Sequence, residues 1–231
     1  FVAFSLLFPH EIDFDDLTFP DKSYEPNKIR DIIKIDGVLD EEYWLNADSI
    51  NDFIQVMPNL LSLPTRKTVV KVLYDDENIY FGIVLNQKME DISYKIGNYD
   101  DFENTFESNS DYFIVELDAQ NKHDTSYGFA VNASNIKADY MIYSNESGSI
   151  DDYWNAEWNS AVSVNENNWT IEICIPFKAL RFSNIENQNW GLNFIRYFKE
   201  NNEMLIWSLV PSLKDKIISQ YGHLINLKIR Y

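Results

Sequence analysis

The chain has 231 residues, of which 45% are hydrophobic and 15% aromatic, and its formal net charge is -18. This length and composition suit one large domain with a hydrophobic core and exclude a disordered chain. Such an acidic chain repels phosphate backbones, so nucleic acid is not expected as a partner. The single cysteine, Cys174, excludes an internal disulfide framework and a cysteine-based zinc site. No apolar run in the sequence reaches the length of a transmembrane helix.

Residues 1–32 are predicted to form an extended, acidic and aromatic N-terminal arm. Pro9, Pro20 and Pro26 interrupt any helix there. The apolar opening FVAFSLLF could be the remainder of a signal peptide or a strand that packs on another surface. Because no shift in composition follows the arm, residues 33–231 are predicted to be one domain.

The segment IKIDGVLDEEYW begins this domain at Ile33. It combines an apolar strand, an Asp36-Gly37 turn and an acidic helix start, with Asp40 as the predicted N-cap. Trp44 at its end is either a core anchor for the short helix or a ligand platform, and the anchor is the favoured interpretation.

The rest of the chain contains short apolar runs with period-two alternation, separated by polar turns. In TIEICIP, for example, Ile171, Ile173 and Ile175 share one face, with Glu172 and Cys174 on the other. At least seven such runs with little helix predict an all-β fold, an antiparallel β-sandwich of jelly-roll type with short helical turns. The runs are KTVVKVLYDDENIYFGIVL, SDYFIVELD, TSYGFAVNASNIKADYMIY, EWNSAVSVNENNWTIEICIP, NWGLNFIRYF, EMLIWSLVP and YGHLINLKIRY.

Four of these segments in order, IDGVLDEEYW, VKVLYDDENIYFGI, SDYFIVELD and WTIEICIPFKAL, resemble the family 9 carbohydrate-binding modules. The resemblance spans roughly residues 33–227 and implies a non-catalytic domain that binds glycan. The segments YGFAVNASNIKADYMI, DDYWNAEWNSAV and WGLNFIRYFKENNEMLIWSLVP are also similar to a bacterial family in which such a module precedes an outer-membrane β-barrel. That second resemblance implies export to the periplasm or cell surface and association with the outer membrane.

The family resemblance also implies a sugar held between two aromatic rings, since apolar sugar faces stack on aromatic planes. Phe106 stands where the first ring is expected, and Tyr221 is the aromatic residue nearest the expected second, where the family has a Trp. Arg196 is predicted to donate to sugar hydroxyls or to a carboxylate.

A second set of candidates is the cluster of Tyr153, Trp154 and Trp158. Trp154 and Trp158 would share a face of a strand, and Asp151 and Asp152 flank them, which suggests an aromatic and acidic binding strip. The alternative is that one or both indoles fill the core. Trp190 and Trp207 lie within apolar strands and are predicted to be core.

The loop LDAQNKHD offers Asp118, Asn121 and Asp124 as oxygen ligands. The family resemblance implies structural calcium, and these three side chains would supply part of the six to eight oxygens that calcium needs. The alternative is a solvated acidic loop.

No catalytic signature is present. The sequence has no Gly-x-Ser-x-Gly elbow and no metal spacing among its three His, and catalysis is not expected. Two functions remain open: a carbohydrate-binding module that uses Phe106, Tyr153, Trp154, Arg196 and Tyr221, or a protein-interaction domain of an outer-membrane assembly whose sugar site has decayed.

Overall fold

A computed structural model describes residues 20–106, 109–143, 149–210 and 217–229. Two helices, α1 (Glu42–Asn46) and α2 (Phe102–Thr105), and three 3-10 turns accompany the strands. The turns are Met89–Asp91, Phe177–Ala179 and Ile217–Gln220. In chain order the strands are β1 (Ser23–Tyr24), β2 (Asn27–Lys28), β3 (Ile54–Met57), β4 (Thr68–Tyr74), β5 (Asn78–Asn86), β6 (Tyr112–Asp118), β7 (Thr125–Asn132), β8 (Lys137–Tyr143), β9 (Ser149–Asp151), β10 (Asn159–Val164), β11 (Asn168–Pro176), β12 (Asn187–Phe198), β13 (Glu203–Ile206) and β14 (Gly222–Lys228).

The strands form two sheets packed face to face, so the predicted all-β sandwich is confirmed. The larger sheet has the order β1-β14-β12-β6-β7-β8-β9, with β13 pairing β12 and β3. The smaller sheet has the order β10-β11-β5-β4-β2. The pairs are antiparallel except for two short parallel ones, β1 with β14 and β2 with β4.

The main core lies between the two sheets and follows the predicted alternation. Ile171, Ile173 and Ile175 point into it from β11, while Cys174 belongs to a small cluster with Trp44 on the opposite face of the same strand. Trp190 and Trp207 are buried in the main core, as predicted. A third cluster covers the outer face of the larger sheet.

The described part of the predicted arm belongs to the sandwich. β1 adds to the larger sheet at β14, and β2 adds to the smaller sheet at β4. Residues 20–32 therefore contribute one short strand to each sheet. Residues 1–19 of the arm lie outside the described residues.

The segment from Asp36 to Trp44 is fastened to the smaller sheet by one buried carboxylate. Glu172 Oε2 accepts the backbone N–H groups of Asp36 at 2.9 Å and Gly37 at 2.8 Å, and its Oε1 accepts the indole N–H of Trp44 at 3.0 Å. Trp44 is buried, so the core-anchor interpretation is confirmed. The predicted N-cap is wrong: Glu41 occupies the cap position of α1 and makes no side-chain capping bond.

Gly37 is required at the turn for two reasons. Its φ is +84°, in the left-handed region, and an added Cβ would lie 2.7 Å from the backbone carbon of Val162. The Asp-Gly pair thus turns the chain against β10 and aims two N–H groups at Glu172.

We expect Glu172→Gln to lower the free energy of unfolding by about 1–3 kcal/mol, because an amide NH₂ would face N–H donors in a buried site. Urea denaturation measures this loss. Glu166→Gln, the same change at an exposed turn residue, is the matched control. Equal losses in both variants would contradict the role given to Glu172.

Candidate functional site

Phe106 and Tyr221, the two residues expected to clamp a sugar, lie in the same cluster on the outer face of the larger sheet. Neither ring is open to a ligand. Phe106 is 0% exposed and stacks on Phe102 with ring centroids 5.0 Å apart and an interplanar angle of 15°. Tyr221 is also buried. The structure therefore brings the pair to one face but does not support their predicted contact with sugar.

A buried carboxyl group organises this face. Asn193, Glu116, Gly128 and Tyr140 stand in register across β12, β6, β7 and β8. Glu116 accepts hydrogen bonds from the hydroxyls of Tyr221 at 2.6 Å and Tyr140 at 3.1 Å. Burial raises the pKa of Glu116. The expected sugar position is thus filled by the protein's own side chains.

The predicted sugar donor Arg196 is an interior side chain, which corrects the prediction. It is 0% exposed and donates to the backbone oxygens of Lys67 at 2.9 Å and Asn86 at 3.0 Å and to Thr68 Oγ1 at 2.8 Å. Its guanidinium also lies 3.7 Å from the ring centroid of Phe198. Arg196 therefore joins β12 to the ends of β4 and β5.

The three residues of the predicted binding strip, Tyr153, Trp154 and Trp158, differ in their exposure to solvent. Residues 152–158 lie between β9 and β10 rather than in a strand, so the predicted period-two arrangement is wrong. Trp158 is buried against Phe129. Trp154 is half-buried on Tyr127, with ring centroids 5.0 Å apart. Tyr153 is 90% exposed.

Asp139 on β8 connects the elements that surround this exposed ring. It accepts the Trp158 indole N–H at 2.7 Å, the Ala156 backbone N–H at 3.2 Å and the hydroxyl of Tyr99. Its own N–H donates to Asp100 Oδ1 at 3.1 Å. Tyr99 is 43% exposed and was missed by the sequence reasoning.

We call the resulting region the β8-edge surface. It comprises Tyr99, Asp100, Lys137, Asp139 and residues 151–154, which come from the segment before α2, from β8, and from the end of β9 with the turn after it. The charges of Asp139 and Asp152 both raise the pKa of Asp100, to which Asp139 also donates its backbone N–H. Two of the five predicted sugar-binding residues, Tyr153 and Trp154, belong to this surface.

The β8-edge surface carries more negative than positive charge. Desolvation raises the pKa of Asp100 to about 6, assisted by the charges of Asp139 and Asp152 and opposed by Lys137. The Lys137 ammonium is turned inward: it donates to the backbone oxygen of Trp158 at 2.7 Å and lies 4.7 Å from the centroid of that indole. Burial lowers the pKa of Lys137. Exposed rings beside hydrogen-bond acceptors with a perturbed carboxyl are the features of a binding site.

The three predicted calcium ligands lie in a loop that donates hydrogen bonds to its own buried carboxylate, Asp118. Both oxygens of Asp118, which is buried, are taken by its own loop: Oδ1 accepts the N–H of Gln120 at 3.1 Å and Oδ2 the N–H of His123 at 2.8 Å. Asn121 and Asp124 are exposed. Within the described ranges no group of three or more His, Cys, Asp or Glu could hold a metal ion. The calcium site stays a prediction.

Comparison with known proteins identifies relatives by family and by fold. Residues 35–208 match the model of the family described as "Carbohydrate family 9 binding domain-like". No curated protein matches the chain. Modules of this family are carbohydrate-binding domains and not enzymes, in agreement with the prediction from the sequence.

Two solved structures illustrate the fold. A family 9 carbohydrate-binding module from Caldicellulosiruptor kristjanssonii in complex with cellotriose has a TM-score of 0.63 and 13% identity, covering 90% of this chain and 94% of its own. A protein from Bacteroides uniformis inferred to bind carbohydrate has a TM-score of 0.69 and 11% identity, covering 91% of this chain and 100% of its own. Among the described residues, no helix has the length and apolar character needed to cross a membrane.

We expect Asp100→Asn to stabilise the domain at neutral pH. The pKa of Asp100 is raised to about 6 from 3.8, so charging it in the folded state costs free energy above that pH. The stability advantage of the variant should be full above about pH 6 and vanish near pH 4. Asn suits the position because Asp100 has a φ of 60°.

Urea denaturation across this pH range provides the measurement. Asp124→Asn, in the exposed loop after β6, is the control and should show no comparable gain. A pH-independent difference between Asp100→Asn and the parent would rule out the interpretation.

Proposed function

Because the chain belongs to the carbohydrate family 9 binding domain-like family, we propose that it is a non-catalytic module that binds glycan at the β8-edge surface. The observation that carries the proposal is Tyr153, a ring that is 90% exposed beside half-buried Trp154 and a group of carboxylates. An exposed aromatic plane of this kind is a surface on which the apolar face of a sugar can stack.

The residues would have complementary roles. Tyr153 and Tyr99 would supply ring faces, and Trp154, next to Tyr153 in the chain, packs its own ring on Tyr127. Asp100 and Asp152 supply carboxylate oxygens that accept hydrogen bonds from sugar hydroxyls.

The domain is further proposed to act outside the cytoplasm, in the periplasm or at the cell surface, in association with the outer membrane. This rests on the likeness of YGFAVNASNIKADYMI and WGLNFIRYFKENNEMLIWSLVP to modules that precede outer-membrane barrels. A single buried cysteine is compatible with such a location.

One observation favours a second function, a protein-interaction domain of an outer-membrane assembly. The burial of Phe106 and the hydrogen bond from Tyr221 to Glu116 fill the expected sugar position. Against it, β1 and β2 hold the described part of the arm on its own sandwich rather than leaving it for a partner.

A photo-crosslinking residue at Ile32, which is 84% exposed on the arm, tests this second function in cells. An adduct with one outer-membrane protein is expected if the arm holds a neighbour. The same residue at Leu63, which is 87% exposed, is the control. No adduct, or the same adducts from both positions, would contradict the second function.

The glycan proposal is tested by Tyr153→Ala and Tyr99→Ala. A glycan array identifies a ligand of the parent domain, and isothermal titration then measures its Kd. We expect each substitution to raise Kd about tenfold, because a stacking platform is removed. Tyr43→Ala, which removes a half-buried tyrosine from α1 near the other sheet, should leave Kd unchanged. Absence of binding by the parent, or equal loss in all three variants, would refute the proposal.

A further inference from the structure

The β8-edge surface carries a strong excess of negative charge close to its rings. Asp100, Asp139, Asp151 and Asp152 contribute four carboxylates. They do not lie on one loop, since β8, β9 and the segment before α2 each supply at least one. Asp139 is buried and satisfied by its three donors. Asp152 is exposed and the other two are half-buried.

Lys137, the basic residue of this surface, offsets only part of this negative charge. Its ammonium donates to the Trp158 backbone oxygen, lies over that indole and lies 5.6 Å from the centroid of the Tyr99 ring, while its pKa is lowered by burial. The four carboxylates of the surface are thus accompanied by one half-buried lysine. Asp151 Oδ1 accepts the N–H of Tyr153 at 3.1 Å, which keeps that carboxylate beside the exposed ring.

The negative charge of these carboxylates is only partly neutralised, and this indicates the charge that a ligand of the surface would carry. Burial is the main reason why the pKa of Asp100 is raised, and the backbone N–H of Asp139 opposes it; the charges of Asp139 and Asp152 raise this pKa further, and the charge of Lys137 lowers it. A cationic group brought to the surface by a ligand would relieve this repulsion, whereas an anionic group would increase it. A neutral hydroxyl would do neither.

We propose that the β8-edge surface selects glycans that carry free amino groups, such as oligomers of de-N-acetylated hexosamine, and rejects uronic acid or sulfated glycans. This inference rests on the proposed glycan-binding function and adds the ligand class. The pyranose faces would stack on Tyr153 and Tyr99, and the ammonium groups would donate charge-assisted hydrogen bonds to Asp152 and Asp100.

Long-range electrostatics act in the same direction. The whole chain has a formal net charge of -18, so a cationic oligosaccharide is steered to it and an anionic one is repelled. Steering alone does not produce a site, however, and a test must separate the local carboxylates from the overall charge.

Three oligosaccharides of equal length and β-1,4 linkage provide matched probes. Cellohexaose carries a hydroxyl at C2, chitohexaose an acetamide, and the glucosamine hexamer an ammonium. Isothermal titration would be run at a pH at which the amine is protonated, in low and in high salt. We expect the glucosamine hexamer to bind about tenfold more tightly than cellohexaose, with the advantage reduced in high salt because exposed charges are screened.

Variants separate the local effect from the global one. Asp152→Asn should weaken binding of the glucosamine hexamer about threefold and leave cellohexaose unchanged. Asp48→Asn removes the same charge from an exposed position between α1 and β3 and should have no effect on either ligand. Tyr153→Ala should weaken both ligands to the same extent, because the ring stacks on both.

The outcomes distinguish the two proposals. If cellohexaose binds as tightly as the glucosamine hexamer in a Tyr153-dependent manner, the ligand class is wrong and glycan binding stands. If Asp48→Asn weakens the glucosamine hexamer as much as Asp152→Asn does, the preference is an effect of net charge and the local site is overturned. If no oligosaccharide binds in a Tyr153-dependent manner, both proposals fail.

Discussion

The segment from Asp36 to Trp44, with which the domain begins, depends on the hydrogen bonds that it donates to the Glu172 carboxylate. The Glu172 side chain is fully buried, and its two carboxylate oxygens accept hydrogen bonds from three N–H groups of a segment more than 120 positions earlier in the chain. Desolvation raises its pKa, which the three hydrogen bonds oppose. Burying a carboxylate is tolerated only when its hydrogen-bonding capacity is met, so the turn and the indole must both be in place. The sequence between Asp36 and Trp44 is therefore one structural unit.

The outer face of the larger sheet is covered by the protein's own side chains. Tyr112 and Tyr197 stack there with ring centroids 5.2 Å apart, and Glu116 binds two tyrosine hydroxyls. These contacts consume the aromatic faces and the acceptors that a sugar would use. The two solved structures share the sandwich, but at 11–13% identity they show the fold alone.

The burial of an individual residue could be predicted where the residue lies in a strand with alternating apolar and polar positions. Alternation placed Ile171, Ile173 and Ile175 correctly, and the same rule would have placed Arg196, because it shares parity with Phe194 and Phe198 on the inner face of β12. The prediction that Arg196 contacts a sugar followed the family resemblance instead of this alternation.

Residues outside strands offered no such guide. Phe106 caps the end of α2, where its burial depends on a stack with Phe102 that spacing does not reveal. Tyr99 lies in the polar run GNYDDFENT and becomes part of the β8-edge surface only through Asp139 on a distant strand. Sandwich architecture and core strands were thus predictable, while the surface assembled from loops was not.

The positions of the tryptophans determine what the intrinsic fluorescence of the domain reports. Five of its six indoles, those of Trp44, Trp158, Trp169, Trp190 and Trp207, are buried, whereas Trp154 is half-buried at the β8-edge surface. The buried indoles respond mainly to the integrity of the fold, and the sixth responds to whatever approaches its surroundings. Contact at the β8-edge surface is therefore expected to alter mainly the emission of Trp154, whereas unfolding alters the surroundings of the buried indoles as well.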